Sequence, residues 1–166
     1  EYEGAEQMVS LLAKFFRISL SQGKDMIPLE KELEHAISYL AIQNIRFKDK
    51  FEFSVHADQA LTKYLCPKLS IQPLLENAIY HGMEGKFEDG EITINIYEKE
   101  EVIHIEVADN GLGMTEEKIN YIMKNKVVSG KRGSGIGVRN VNERIKLIYG
   151  EEYGISIKSE LDEGTT

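Results

Sequence analysis

The chain has a single cysteine, Cys66, and no long apolar run. One cysteine cannot form an internal disulfide or a thiolate metal site, which fits a reducing compartment, and Cys66 is predicted to be a small core residue. A membrane span needs about 20 consecutive apolar residues, so no part of the chain is expected to insert into a bilayer. We also find no internal repeat, low-complexity segment or signal peptide. Both ends interrupt a pattern, which indicates cuts in a longer chain.

Positive charge is scarce in this sequence. Twenty Lys and Arg residues face 28 Asp and Glu residues, giving a formal net charge of -8 over 166 residues. Such a balance disfavours nucleic acid as a partner. The exception is the segment 115–132, where five basic side chains outweigh two acidic ones: Lys118, Lys124, Lys126, Lys131 and Arg132 against Glu116 and Glu117. This segment would attract a polyphosphate, and a solvated basic loop is the alternative.

The N-terminal part has the periodicity of two amphipathic helices. Apolar residues recur every three or four positions from Met8 to Ser19, and again from Leu29 to about Phe47. Gly23 in SQGKD ends the first helix, and Pro28 suits the first turn of the second. The two stripes predict an antiparallel hairpin that needs another helix or a second chain to cover it. A dimer is therefore expected.

From Phe51 the pattern changes to strands mixed with helices. FEFSVH, EITINIY and VIHIEVA alternate as half-buried strands do, and GISIKSEL is predicted to be a strand as well. KLSIQPLLENAIYHG, TEEKINYIMKN and IGVRNVNERIKLIYG have helical patterns, with Pro73 at a kink or in a first turn. VVSGKRGSG is predicted to be mobile. The boundary is set near residue 49: a helical hairpin at 1–49 precedes an α/β (α+β) two-layer sandwich at 50–166, a mixed sheet covered by helices.

The motif DNGLGM follows directly on a predicted strand. Asp109 falls at the strand end, and Gly111 and Gly113 let the backbone turn and approach a ligand closely. A buried aspartate needs hydrogen-bond donors, and the exocyclic amino group of adenine is a suitable one. An ordinary glycine-rich turn is the alternative for this motif taken alone.

A second glycine cluster, KRGSGIGVRN, precedes a predicted helix. Helix starts offer free backbone N–H groups and the positive end of a dipole, which can hold phosphates. The spacing of Gly133, Gly135 and Gly137 fits neither a Walker A motif nor a dinucleotide fingerprint. Taken alone, this motif is a weak indication.

The helix LLENAIYHG carries adjacent polar residues, Glu76 and Asn77, with His81 one turn later. The amide oxygen of Asn77 can ligate Mg²⁺, a cation that prefers oxygen and shares its ligands with phosphates. Glu76 can take a proton from an attacking group or orient that group. The alternatives are a helix with a polar face and, for His81, a hydrogen-bonded surface histidine.

In this order, ENA, DNGLGM and GSGIG resemble the asparagine box and the two glycine-rich boxes of the GHKL (Bergerat-fold) ATPases. That superfamily includes histidine kinases, gyrase-type topoisomerases, mismatch-repair proteins of the MutL kind and the large heat-shock chaperones. The segments PLEKELEHAISYLAIQNIRF, IQPLLENAIYHG and GIGVRNVNERIKLIYG narrow the resemblance to LytS/YesM-type sensor histidine kinases. The resemblance covers nearly the whole chain.

This resemblance implies a site that binds ATP with Mg²⁺. By resemblance, Asn77 would hold the metal, Asp109 the adenine amino group, and the glycines of both boxes the turns and the phosphates. Glu76 is assigned to catalysis because it is the carboxylate next to the predicted metal ligand. Together with the candidates argued from the residues alone, the predicted ATP-binding set is Asn77, His81, Asp109, Gly111, Gly113, Lys131, Arg132, Gly133, Ser134, Gly135, Ile136 and Gly137.

The chain departs from the family pattern at three points. Pro73 stands where many histidine kinases have a second asparagine, as is usual in this subfamily, and Tyr80 stands where many have a lysine. Part of the phosphate neutralisation is therefore assigned to Lys131 or Arg132. A phosphoacceptor motif like NPHFLFN is absent, because His35, His56, His81 and His104 all have other contexts. Residues 1–49 are thus expected to be a partial dimerisation region without the acceptor histidine, and 50–166 an ATP-binding domain truncated at its C-terminus.

The resemblance implies the catalytic fragment of a two-component sensor histidine kinase. Its expected partners are a response regulator and, through the helical hairpin of the full-length protein, a second copy. The fragment is expected to be cytoplasmic, and the full-length protein an integral membrane sensor of the bacterial cell membrane. Two alternatives stay open: a serine kinase of the anti-sigma-factor type, which lacks such a hairpin, and an interaction module in which ATP only orders the basic segment.

Overall fold

The computed structural model describes residues 2–20, 23–48, 50–82, 89–124 and 135–166. Its helices are α1 (Tyr2–Leu20), α2 (Leu29–Arg46), α3 (Gln72–Asn77), α4 (Glu116–Lys124) and α5 (Ile136–Tyr149). Its strands are β1 (Met26–Pro28), β2 (Phe51–Ala57), β3 (Leu65–Pro67), β4 (Gly90–Lys99), β5 (Val102–Asp109), β6 (Ser159–Glu160) and β7 (Gly164–Thr165). The predicted α/β architecture with a helical N-terminal region is confirmed.

The main sheet is mixed and has the strand order β2-β4-β5-β7-β6. β2 runs parallel to β4, and β4 forms an antiparallel hairpin with β5 that closes at the pair Lys99↔Val102. The two turn residues, Glu100 and Glu101, have φ values of +54° and +62°, as a two-residue hairpin turn with the right twist requires. β5 meets β7 at Asp109↔Thr165, which brings the C-terminal segment beside the predicted site.

The core lies between this sheet and α2 and α3. Ile92, Ile94 and Ile96 of β4 are at most 2% exposed, as their alternation predicts. Leu33 and Leu40 of α2 pack in the same buried cluster, together with residues of α3. The second predicted helix therefore covers the sheet and shares its core.

Helix α1 packs along α2 with the side of the helix that the periodicity marks as apolar. Ile18 is buried, and Phe15 packs against the core. On other parts of α1, Val9, Phe16 and Leu20 are 66%, 56% and 73% exposed. The hairpin thus keeps large apolar side chains on its surface.

Cys66 lies in β3, which pairs with β1 in a small antiparallel sheet that the sequence analysis missed. Cys66 is 8% exposed, and its Sγ lies 3.7 Å from the carbonyl oxygen of Ile27. Burial raises the pKa of this thiol to about 12. The prediction of a small core residue is confirmed.

The structure also describes Pro73 and the segment GISIKSEL, for which the sequence made predictions. Pro73 lies in the first turn of α3, and the helix passes at Ala78–Gly82 into a π-helical turn. The strand prediction for GISIKSEL was too long, because only its Ser159–Glu160 part pairs as a strand, while the Ile155 N–H donates to Asn142 Oδ1 at 2.7 Å. The segment VVSGKRGSG, predicted to be mobile, lies outside the described residues except for its last glycine.

Within the described ranges, none of the helices has both the length and the apolar character that crossing a membrane requires.

Candidate nucleotide site

A cavity of about 650 Å³ is lined by residues of β3, β5, α3 and α5 and by the C-terminal segment. Asn77, Asp109 and Thr165 are among its polar lining residues, and Leu74, Val138 and Val141 are among the apolar ones. The lining also includes charged side chains such as Glu106 and Lys158, and a cavity that combines apolar walls with polar groups suits a small molecule. Asn77 and Asp109, which the sequence analysis singled out independently, thus line the same space.

Asp109 is the last residue of β5, and the next residues turn back on its side chain. Its Oδ1 accepts the Gly111 N–H at 2.9 Å, so the acid and the first glycine of DNGLGM form a local turn. Burial raises the pKa of Asp109 to about 6, while the backbone N–H groups of Gly111 and Thr165 act to lower it. A carboxylate has about four acceptor positions, so Asp109 keeps capacity for another donor, such as an amino group.

Glu76 and Asn77 are neighbours in α3 but contact different surroundings. Successive helix residues point about 100° apart, so adjacency does not bring two side chains together. Asn77 lines the cavity. Glu76 accepts a hydrogen bond from Gln72 Nε2 at 2.8 Å and lies near Tyr39 of α2, where its charge adds to burial in raising the pKa of the Tyr39 phenol. The proposed acid/base group is therefore on the α2 side of the helix.

Three glycines of the two glycine-rich boxes have close packing contacts within the chain. Gly113 has a φ of +66°, and a Cβ at this position would fall on the carbonyl oxygen of Glu160. Gly135 is the N-cap of α5 with a φ of +68°, and a Cβ there would come 2.9 Å from Ile122. A Cβ at Gly137 would come 3.0 Å from that of Pro73. Gly135 and Gly137 thus let α5 pack against α4 and α3, and Gly113 lets its turn pack against the C-terminal segment.

Four predicted ligand residues lie outside the described residues: Lys131, Arg132, Gly133 and Ser134. His81 lies within the π-helical turn, and its side chain is likewise outside them. Ile136 is the first residue of α5. The ligand roles of all these residues stay predictions.

Thr165 is a lining residue that the sequence analysis did not single out. It stands opposite Asp109 in the register of β5 and β7 and shares the cavity with it. Ser159 supports this corner, because its hydroxyl oxygen lies 2.9 Å from the Thr165 hydroxyl and accepts the Met114 N–H at 2.8 Å. Two-residue strands are too short to give an alternation pattern, so the sequence carries no local signal for this pairing.

Asn77 brings an amide oxygen to the cavity wall, and Mg²⁺ accepts ligands of this type. Among the residues that the structure describes, no group of three or more His, Cys, Asp or Glu side chains could hold an ion. Mg²⁺ is commonly bound by one or two protein oxygens together with phosphates and water. The amide oxygen of Asn77 fits that arrangement.

Comparison with family models identifies two matches along the chain. A model described as "Histidine kinase-, DNA gyrase B-, and HSP90-like ATPase" matches residues 67–166. A model described as "Histidine kinase" matches residues 1–51. The first match includes Asn77, Asp109 and the start of α5.

Curated relatives align with almost the whole chain. This chain is 37% identical over 166 residues to the sensor protein LytS of Bacillus cereus. The alignment covers 99% of this chain and 28% of LytS. The chain is 34% identical over 159 residues to the sensor histidine kinase YesM of Bacillus subtilis, covering 96% of this chain and 26% of YesM. It is 30% identical over 163 residues to the sensor histidine kinase BtsS of Escherichia coli, covering 98% and 27%. The chain thus spans little more than a quarter of the length of these relatives.

Proposed function

The chain belongs to the histidine kinase-, DNA gyrase B- and HSP90-like ATPase family, and on this premise we propose that it is the catalytic part of a two-component sensor histidine kinase. Its reaction is the transfer of the γ-phosphoryl group of ATP to a histidine, for relay to a response regulator. The bond between the γ-phosphorus and the bridging oxygen breaks, a phosphorus–nitrogen bond to the imidazole forms, and ADP leaves. This chemistry requires positioning and charge neutralisation more than covalent help.

The observation that carries the proposal is the shared cavity of Asn77 and Asp109. Their side chains come from α3 and from the end of β5, which are 32 positions apart in the sequence. In the proposed complex the Asp109 carboxylate accepts the adenine amino group, and Thr165 lies beside it. Asn77 contributes an oxygen to Mg²⁺, which when bound would neutralise phosphate charge.

The phosphates are assigned to the start of α5. The first N–H groups of a helix have no partner within it, and they lie at the positive end of the helix dipole. Gly135, Ile136 and Gly137 form this start, next to α3 through the contact of Gly137 with Pro73. The remaining predicted phosphate ligands are His81, Lys131, Arg132, Gly133 and Ser134.

Glu76 is assigned to the acceptor side of the reaction. Its position near Tyr39 of α2 supports this role, since the matched histidine kinase region includes α2. In the proposal the Glu76 carboxylate accepts the distal N–H of the incoming imidazole and so makes its other nitrogen a better nucleophile. The acceptor histidine itself lies outside this chain.

The helical hairpin is assigned to pairing with a second copy. Val9, Phe16 and Leu20 of α1 are more than half exposed, and a second hairpin would cover them. We divide the chain into a partial dimerisation region, 1–49, whose helix α2 also packs in the core of the sheet, and a catalytic domain, 50–166. Cytoplasmic placement, a membrane-anchored full-length protein and a response regulator as partner are parts of the same proposal.

Transfer between separate molecules tests the function. The chain is mixed with γ-labelled ATP, Mg²⁺ and the upstream helical segment of its parent protein that carries the acceptor histidine. We expect acid-labile label on the upstream segment and almost none on the chain itself. ATP binding without transfer to that segment would favour the nucleotide-gated interaction module, and stable label on His35 or His81 would show that the acceptor is assigned wrongly.

A further inference from the structure

A buried carboxylate, Glu32, connects α2 to the beginning of α3. Glu32 lies in the first turn of α2 and is 0% exposed. Its Oε2 accepts the Leu69 N–H at 3.0 Å, and its Oε1 accepts the Ile71 N–H at 2.9 Å. Both oxygens of the side chain therefore bind the segment that directly precedes Gln72, the first residue of α3.

The segment that Glu32 binds has a backbone conformation that needs support. Leu69 has a φ of +59°, in the left-handed region that costs a residue with a Cβ about 1 kcal/mol or more. The Ser70 hydroxyl donates to the Pro67 carbonyl oxygen at 2.6 Å across the same turn. The bond from Leu69 to Glu32 is thus one of the contacts that hold this turn in place.

Helix α5 takes part in the same cluster. Arg144 Nη2 donates to the Ser70 hydroxyl oxygen at 3.3 Å, and the positive charge of Arg144 lies near Glu32. Burial raises the pKa of Glu32, whereas the backbone N–H groups and Arg144 act to lower it. One carboxylate therefore links the hairpin helix α2 to the two helices, α3 and α5, that border the candidate nucleotide site.

We propose that Glu32 is a positioning residue that sets the placement of α3, and through it Asn77, relative to α2. Helix α3 has only six residues, so a shift at its start reaches Asn77 at its end. Asp109 lies on β5, outside this cluster. The inference rests on the proposed function, and it specifies how a movement of the helical hairpin reaches the metal and phosphate part of the site while the adenine part stays in place.

The substitution Glu32→Gln tests the link, because its amide group places a donor against one of two backbone donors. The control is Glu30→Gln, an exposed carboxylate in the same turn of α2. Affinities for Mg-ATP and for adenosine are measured by titration calorimetry, and folding is checked by thermal unfolding. We expect Glu32→Gln to weaken the binding of Mg-ATP about tenfold or more and the binding of adenosine less than twofold. Glu30→Gln should change neither affinity.

The outcomes separate this inference from the function. If the folded Glu32→Gln variant loses affinity for Mg-ATP and adenosine equally, or loses affinity for neither, the positioning role is overturned. If this variant does not fold, Glu32→Asp decides, since it keeps the charge near Arg144 but is shorter by one methylene; the same selective loss is then expected, and equal losses overturn the role. An unmodified chain that does not bind ATP would instead contradict the proposed function.

Discussion

The imidazole of His35 stacks on the ring of Phe15, with centroids 4.3 Å apart and an angle of 23° between the planes. This contact joins α2 to α1, and His35 is 1% exposed. His35 Nε2 lies 2.8 Å from the Ser19 hydroxyl oxygen, and Nδ1 has no hydrogen-bond partner among the described residues. Burial lowers the pKa of His35 to about 4. The packing of the hairpin therefore depends on a neutral imidazole.

The first prediction is that this contact loses stability in mild acid. In the unfolded chain histidine has a pKa near 6.5, so between about pH 6.5 and 4 the unfolded state takes up the proton first. The contribution of His35 is fully present above pH 6.5 and falls by up to roughly 3 kcal/mol as the pH reaches the folded-state pKa. Denaturant unfolding between pH 7 and 4 measures this loss.

The control for that experiment is His35→Gln, which does not titrate and can still hydrogen-bond to Ser19. Asp109 and Glu32 have raised pKa values, so their protonation stabilises the fold as the pH falls and opposes the histidine effect. The difference between the unmodified chain and the variant isolates His35. An identical pH slope for the two proteins would contradict the prediction.

The sequence predicted those parts of the fold that have a strong local period. The α1 and α2 stripes and the alternating isoleucines of β4 each repeat often enough to define an element and its buried side. The pairing of β1 with β3 was missed because each strand has three residues and the pair Ile27↔Cys66 is 39 positions apart in sequence. Periodicity also could not tell that Leu33 and Leu40 pack on the sheet, since an apolar stripe does not specify its partner.

The candidate site was predictable to the extent that its residues carry their own chemistry. Asp109 and Asn77 were found as polar groups next to glycine or helix signals, and they line one cavity. Thr165 and Glu32 have no local signal in the sequence, because their contacts are with residues far away in sequence. The glycines were assigned to ligand approach, whereas Gly137 also has a packing reason, its contact with Pro73, that only three-dimensional coordinates reveal.

The second prediction concerns adenine recognition by Asp109. Asp109→Asn replaces an acceptor oxygen with a donor. We expect this change to weaken the free energy of ATP binding by about 1–3 kcal/mol. In the unmodified chain the pKa of Asp109 near 6 should make adenosine binding about tenfold weaker at pH 5 than at pH 7, because the protonated acid is the poorer acceptor. Adenosine is the ligand of choice because it has no phosphates to titrate in this range.

Two comparisons check the adenine assignment. The variant Asp25→Asn, at an exposed aspartate far along the chain from β5, should bind adenosine like the unmodified protein. The variant Asp109→Asn should lose the pH dependence as well as affinity. Equal affinities of the unmodified chain for ATP and GTP would show that Asp109 does not read the adenine amino group.

The third prediction is that Asn77→Ala removes the Mg²⁺ dependence of ATP binding and leaves the fold intact. The side chain supplies one oxygen ligand from the cavity wall, and α3 does not need it for its buried packing, since Leu75 is its buried residue. ATP affinities with Mg²⁺ and with EDTA should therefore become equal. Asn120→Ala, an exposed asparagine of α4, is the control that keeps the dependence. A variant at Asn77 with unchanged Mg-ADP binding would refute the metal assignment.

The fourth prediction separates catalysis from binding at Glu76. Its hydrogen bond from Gln72 and its place near Tyr39 put the carboxylate on the α2 side of α3, away from the Asn77 side. If Glu76 accepts the distal N–H of the acceptor imidazole, Glu76→Gln should slow transfer to the upstream segment by about 10²-fold, the lower range for a positioned acid/base group. The affinity for Mg-ATP should change less than twofold, because the proposed nucleotide contacts are made by other residues.

Single-turnover transfer measures the rate of phosphoryl transfer, and titration calorimetry measures the affinity for Mg-ATP. The control is Glu52→Gln, at an exposed glutamate. A variant that transfers at the normal rate once saturated, but binds Mg-ATP weakly, would assign Glu76 to the nucleotide instead.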